Sequence, residues 1–229
     1  MPPMLATIGI NTASATTSIS TLSKIPITAD AKNAVSKLIP NHNALRLALV
    51  KMGENKSSSL TLNAIQNKSE WTNATHFLNF AGSADALAQL RDLRSGDEYD
   101  TYVNNLQGLA KIVAMKQGQS LVRIPGENGT YSEQMWSFFV ENPGVFAEAF
   151  VELNKGFSNG NYISLGMYTG GERNETHYIY TTHSDAKNQF TFFPDNEKEQ
   201  KAFSKFQSSV SPISQFKGSI ISTVLGTWN

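Results

Sequence analysis

Acid–base chemistry in this chain would start from its histidines, of which there are four in 229 residues. Two of them sit in the same setting. Asn73-Ala74-Thr75-His76-Phe77-Leu78 recurs 101 residues later as Asn174-Glu175-Thr176-His177-Tyr178-Ile179. Both copies then reach a serine and an aspartate, Ser83 and Asp85 in one, Ser184 and Asp185 in the other. An imidazole titrates near neutrality, so His177 and His76 are the candidate catalytic residues, a pseudo-symmetric pair of general bases. The competing role is structural: a histidine at the start of a strand hydrogen-bonding a loop carbonyl. Metal ligation has less support, because no carboxylate or second histidine stands at ligand spacing beside His76. His183 lies six residues beyond His177 on the same strand face; it either reaches a site in the second half only or sits at an exposed strand end.

Strand alternation separates these histidines from their neighbours. His76, Leu78 and Phe80 share one face, with Phe77 and Asn79 on the other. His177 and Ile179 share a face opposite Tyr178 and Tyr180. If the aliphatic face packs on helices, the other face lines a space between sheets. Asn63, Phe77 and Asn79 in the first half, and Tyr162, Ser164, Tyr178 and Tyr180 in the second, are then the candidate ligand-binding residues. Aromatic walls with hydroxyl handles suit a small apolar or aromatic molecule. The alternative is that the same side chains interdigitate and fill the space.

Other chemistries are excluded or unsupported. There is no cysteine, hence no thiolate metal site, disulfide or cysteine nucleophile. No Gly-x-Ser-x-Gly elbow occurs, and Gly166, Gly170 and Gly171 lack the Lys-Ser/Thr of a phosphate loop. Basic and acidic residues balance at 19 each, so no net positive field recommends a nucleic-acid partner. No apolar run has the length of a membrane span, and the N-terminus does not read as a secretory signal. The expectation is a soluble, cytoplasmic protein with no metal and no cofactor, whose partner is a small-molecule ligand. Arg123 is the single charge within the short segment 120–124, where it would meet an anion in the interior or form a salt bridge at a strand edge.

The elements that must position these residues also read twice. Pro40 opens a helical run that stops at Gly53, and Pro143 opens one that stops at Gly156. The first half predicts a strand over 5–11, a flexible hydroxyl-rich loop over 11–23, and helix from 30 to 53. Strands follow over 59–65 and 75–81, then a helical region after Ser83 with Tyr99, Tyr102, Val103 and Leu106 on one face, then a strand over 109–117. The second half predicts a strand over 120–124 and a Trp-, Phe- and Met-rich helix from 133 to 140 that restarts at Pro143. A hairpin of 163–168 with 176–182, a region capped by Ser184, a helix over 197–210 and a strand over 218–225 complete it. Phe190-Thr191-Phe192-Phe193-Pro194 reads as an insertion, and Trp71 and Trp228 as covers for open barrel ends.

Each half is therefore strand–helix–strand–strand–helix–strand, an α+β chain of two tandem ferredoxin-like (βαββαβ) units, residues 1–118 and 119–229. One such sheet leaves a face uncovered, and a second sheet is the simplest cover, giving antiparallel sheets packed as an internal pseudo-dimeric barrel. In this element order and in the duplicated Pro-helix-Gly and Thr-His-aromatic segments, the chain resembles the dimeric α+β barrel superfamily. That superfamily includes cofactor-free monooxygenases, haem-degrading enzymes, lyases and stress proteins. The resemblance implies a barrel that binds a small apolar or aromatic molecule between its sheets, with cofactor-independent oxygenase or lyase chemistry as its enzymatic form. The alternative is a non-catalytic interaction or assembly protein with a filled interior. Further oligomerisation is not readable.

Overall fold

A two-residue alternation of side chains between two buried faces organises most of the protein. The structure is a computed structural model describing residues 15–23, 59–68, 74–92, 97, 100, 104, 111–126, 129–157, 160–171 and 174–228. Among the described residues there are eight strands: β1 (Ala15–Ser23), β2 (Ser59–Lys68), β3 (His76–Ser83), β4 (Lys111–Ile124), β5 (Ser132–Val140), β6 (Ile163–Gly170), β7 (His177–His183) and β8 (Ser214–Trp228). They close into a barrel in the order β1-β3-β2-β8-β5-β7-β6-β4, every pairing antiparallel. Around the barrel the first four strands run β4-β1-β3-β2 and the last four β8-β5-β7-β6. The seams are β2 with β8 and β4 with β6, so every strand has two partners and no edge is left open.

Four α-helices lie among the described residues: α1 (Ala84–Asp92), α2 (Pro143–Gly156), α3 (Ala186–Phe190) and α4 (Glu197–Val210). Their starts follow from capping chemistry. Ser83 Oγ accepts from the Ala86 amide at 3.2 Å, and Asn142 Oδ1 from the Val145 amide at 3.2 Å, with Pro143 in the first turn. Asn196 Oδ1 accepts from the Glu199 amide at 3.0 Å. α3 is capped by Asp185, whose carboxylate accepts from the Asn188 amide at 2.7 Å; the expected cap, Ser184, instead hydrogen-bonds Asp185.

α2 and α4 cover the outer face of the β5–β8 half. Phe146, Phe150, Phe206 and Val210 pack there against Val140, Leu165 and Ile179 in one core. A second core lies inside the barrel, where Phe77, Met135, Tyr178 and Ile220 meet. The barrel thus divides the apolar side chains of each strand between an inner and an outer layer.

Three sequence expectations are corrected. The hydroxyl-rich stretch read as a flexible loop is in large part β1: its threonines and Ile19 favour extended backbone, and β3 and β4 hydrogen-bond it from both sides. Residues 133–140, read as a helix, are β5. Glu133, Met135 and Ser137 turn inward, while Trp136, Phe138 and Val140 pack outward on the helix-side core. Burial on both faces removes the polar alternation that marks a strand, and the bulky apolar run then mimics a helix. The strands expected over 109–117 and 120–124 are, from Lys111 to Ile124, one strand, β4. The strand expected over 5–11, the helix over 30–53, Trp71 and the face of Tyr99 to Leu106 lie outside the described residues. Helix 197–210, helix 143–156 and the hairpin of β6 with β7 match the sequence reading.

Tyr178 shows how tightly the interior is fitted. A Cβ on Gly166 would lie 2.1 Å from Tyr178 Cζ, and one on Gly118 would lie 2.8 Å from its ring and from the Met167 carbonyl. The phenol ring therefore lies directly on bare backbone of β6 and β4. Gly166→Ala is expected to destabilise the protein by roughly 1–3 kcal/mol through overpacking. In the double variant with Tyr178→Ala the two losses should be less than additive in denaturant unfolding; strict additivity would show that this contact is not the cause.

Candidate functional site

The Thr-His repeat builds the same local contact twice. His76 Nδ1 lies 3.1 Å from Thr75 Oγ1, and His177 Nδ1 lies 2.9 Å from Thr176 Oγ1. Thr176 Oγ1 also accepts from the Val140 amide at 2.8 Å, which ties the start of β7 to the end of β5. Both imidazoles point to the outer, helix-side face, as alternation requires. The His177 ring sits 6.2 Å from that of Phe146 on α2. Burial holds the pKa of both histidines below the ordinary value, so each is neutral at physiological pH. His183 is also outward but buried rather than at an exposed strand end, with Nε2 3.3 Å from Gln134 Oε1 and its ring packed 5.0 Å from Phe192. The structure does not bring His76, His177 and the tyrosines together; the sheet separates them.

The expected ligand-binding residues do turn inward. Phe77 and Tyr178 meet in the inner core, with Tyr180 packed against it. Tyr162 and Tyr180 approach edge to face at 6.0 Å, and Tyr168 and Tyr178 are tilted at 43° with centroids 5.0 Å apart. Ser164 pairs with Tyr180 across β6 and β7, Asn63 with Phe77, and Thr61 with Asn79. Around Tyr178 these rings fill the barrel. Lys116, 3% exposed, forms a 2.5 Å ion pair with Glu175 and lies 5.4 Å over the Tyr168 ring. The Tyr168 hydroxyl lies 2.8 Å from Ser137 Oγ, and burial pushes its phenol well above the ordinary range. Arg123, expected either in the interior or at a strand edge, is exposed.

The residue that sequence reasoning missed is Glu133. It is 3% exposed and faces the barrel interior beside Tyr180 and Asn63. Burial raises its carboxyl pKa to about 7, against the opposing effect of hydrogen bonding from Tyr180 and Asn63. A carboxyl group balanced between its two forms at neutral pH can give or take a proton. The signal was present in the alternation of Glu133, Met135 and Ser137 against Trp136 and Phe138, but a helical period conceals it.

A large cavity lies on the other side of the sheet, between the outer face of β5–β8 and the helices. Its volume is about 790 Å³. Trp136, Phe138, Ile163, Ile179 and Phe216 form its floor, Phe150, Leu153 and Phe157 one wall, and Phe203, Phe206 and Val210 the other. Phe192, Phe193 and Pro194 form a lip, held where Phe192 stacks on Trp136 at 6.1 Å. Polar groups at its border are neutral: Asn154, Asn161, Gln207, Ser211 and Ser214. No charged side chain stands among the described lining residues. The insertion noted in the sequence is thus the rim of this cavity.

No protein-family model matches the chain, and no curated protein matches it. Solved structures do. The putative monooxygenase from Lactobacillus acidophilus NCFM aligns with a TM-score of 0.60 at 9% identity, over 94% of this chain and 98% of that one. An anthrone oxidase-like protein aligns at 0.52 and 12% identity over 95% and 94%. A mutant chlorite dismutase from Candidatus Nitrospira defluvii aligns at 0.56 and 8% identity over 93% and 92%. This chain shares the α+β barrel fold of these structures. Among the described residues, no helix is long and apolar enough to cross a membrane.

Glu133 sets a pH dependence of defined sign. Its folded pKa is raised above the unfolded value, so the folded state holds the extra proton. The stabilisation is full below about pH 4.5 and is lost as pH rises through about 7. Glu133→Gln, which keeps the shape without the charge, should match wild type near pH 5 and exceed it near pH 8 by roughly 2–3 kcal/mol. Denaturant unfolding at the two pH values measures this; equal stability gaps at both would refute the raised pKa.

Proposed function

We propose that the protein binds an uncharged, apolar or aromatic small molecule in the cavity between the barrel's outer face, α2 and α4, as an oxygenase-type α+β barrel. The observation that carries this reading is a lining of aromatic and aliphatic side chains with no charge among its described residues. A charged ligand would lose its hydration there and meet no counter-ion. A flat neutral one gains aromatic contact on both walls, with the amides and hydroxyls at the border left to orient a polar edge. A volume of about 790 Å³ suits a ligand of several fused rings. The names of the neighbours, monooxygenase and anthrone oxidase-like, agree with such a molecule by analogy of fold.

In this reading the ligand lies outside the barrel rather than between the sheets. Tyr178 and Phe77 serve packing, and His76 and His177 hold strand starts. One structural neighbour is described as heme-binding. The described lining does not fit that group: it holds no histidine, cysteine, methionine, tyrosine or lysine to ligate iron, and no cation to meet propionates. No step is drawn through haem.

The same proposal treats the barrel as two βαββαβ units that meet in the 125–131 connection. Its support is the strand order of each half and a repeated backbone bond. Ile65 N donates to Thr75 O at 2.8 Å, and Tyr168 N donates to Thr176 O at 2.8 Å, one at each Thr-His segment.

Fluorescence titration with Nile red and with anthrone, both neutral and multi-ring, tests the cavity. Saturable binding is expected in wild type, weakened about tenfold or more by Leu153→Trp, which fills the wall. Absence of saturable binding, or equal affinity in a folded Leu153→Trp variant, would overturn the assignment. Oxygen uptake on addition of anthrone would distinguish an enzyme from a binder.

A further inference from the structure

The lip of the outer cavity carries an aromatic side chain that the protein itself leaves uncovered. Phe193 lines the cavity, yet it is 71% exposed. Its neighbour Phe192 is engaged twice, stacked on Trp136 at 6.1 Å and set edge to face on His183 at 5.0 Å. Phe216, another exposed ring of the lining, packs edge to face on Phe138 at 5.8 Å. Phe193 has no ring partner among the described residues.

The backbone that presents this ring is fixed on both sides. Thr191 donates its amide and its hydroxyl to Lys187 O, each at 2.9 Å, where α3 ends. Pro194 disfavours helical backbone at the residue before it, Phe193. Further on, the Asp195 amide donates to Glu199 Oε2 at 3.2 Å, and Asn196 Oδ1 accepts from the Glu199 amide at 3.0 Å. With Phe192 held by Trp136 and His183, the freedom left at this point is side-chain rotation, which an exposed ring completes in picoseconds to nanoseconds. Such a ring beside an apolar cavity keeps apolar surface in water that a ligand in the cavity can take out of it. Exposure alone does not confer this role: Phe190, 75% exposed on α3, is not among the lining residues.

We propose that Phe193 is the closing residue of the outer cavity: its ring turns over the bound ligand at the lip and sets how long the ligand stays. The inference rests on the reading of that cavity as a ligand site. Because ring rotation is far faster than encounter, Phe193 acts on dissociation and leaves association nearly unchanged. Covering most of an exposed phenyl ring is worth about a factor of ten in affinity.

Stopped-flow fluorescence of Nile red with the full chain is the test. Phe193→Ala should release the dye about tenfold faster than wild type, with association rates within about twofold of each other. Phe193→Leu should fall between the two. Phe193→Trp should release the dye no faster than wild type, and the introduced indole, read as the difference from wild-type emission, should lose accessibility to acrylamide as the dye saturates. Phe190→Ala should behave as wild type. Saturable binding with equal release from wild type and Phe193→Ala would overturn this inference and leave the ligand site standing. Absence of saturable binding in wild type would overturn both. Equal acceleration in Phe190→Ala would mean that exposed rings capture the dye unspecifically, and a loss carried by association alone would make Phe193 part of the entrance; either result overturns the closing role.

Discussion

Closure of the sheet is the constraint on which the rest of the molecule depends. An eight-stranded barrel must satisfy the backbone of every strand on both sides, and here the seams of β2 with β8 and β4 with β6 do so. Closure makes an inside, and here Phe77, Met135, Tyr178 and Ile220 pack into it. Each residue's parity then decides whether it joins the inner packing or the outer layer. Tyr178 and Ile179 are adjacent in sequence yet belong to different cores. The bare backbone of Gly118 and Gly166 beneath Tyr178 is the local expression of the same limit on space.

A filled middle moves ligand space elsewhere. On the outer face, helices stand off a curved sheet, and the aromatic side chains between them leave a cavity of about 790 Å³. The 190–194 segment closes its rim through the Phe192–Trp136 stack. Among the described residues, two ionisable groups stand out inside: the Lys116–Glu175 pair beside Tyr168, and Glu133 beside Tyr180 and Asn63. The first is compensated within the protein, which makes the second the place where a proton has most effect.

Much of the architecture was legible from residue pattern. Pro143 announced α2, the helix over 197–210 was expected where α4 lies, and the hairpin of β6 and β7 followed from alternation around a glycine turn. The facing of His177 against Tyr178 was read correctly because Ile179 marks the helix side. β5 was misread because both its faces are buried, so Met135, Trp136 and Phe138 present no polar interval. β1 was misread because threonine-rich composition describes solubility and extended preference equally well. With β5 taken as helix, Glu133 could not be placed in the interior.

The sequence by itself determined which residues alternate, where helices are capped, and that a Thr-His segment starts a strand twice. These are local properties, set by torsional preference and by hydrogen bonds a few residues long. Only the tertiary structure decided what each face meets. The burial that raises the Glu133 pKa, the aromatic packing that occupies the barrel, and the uncharged cavity outside it all arise from segments far apart in the chain. Desolvation and shape are properties of the assembled environment, and no single strand carries them.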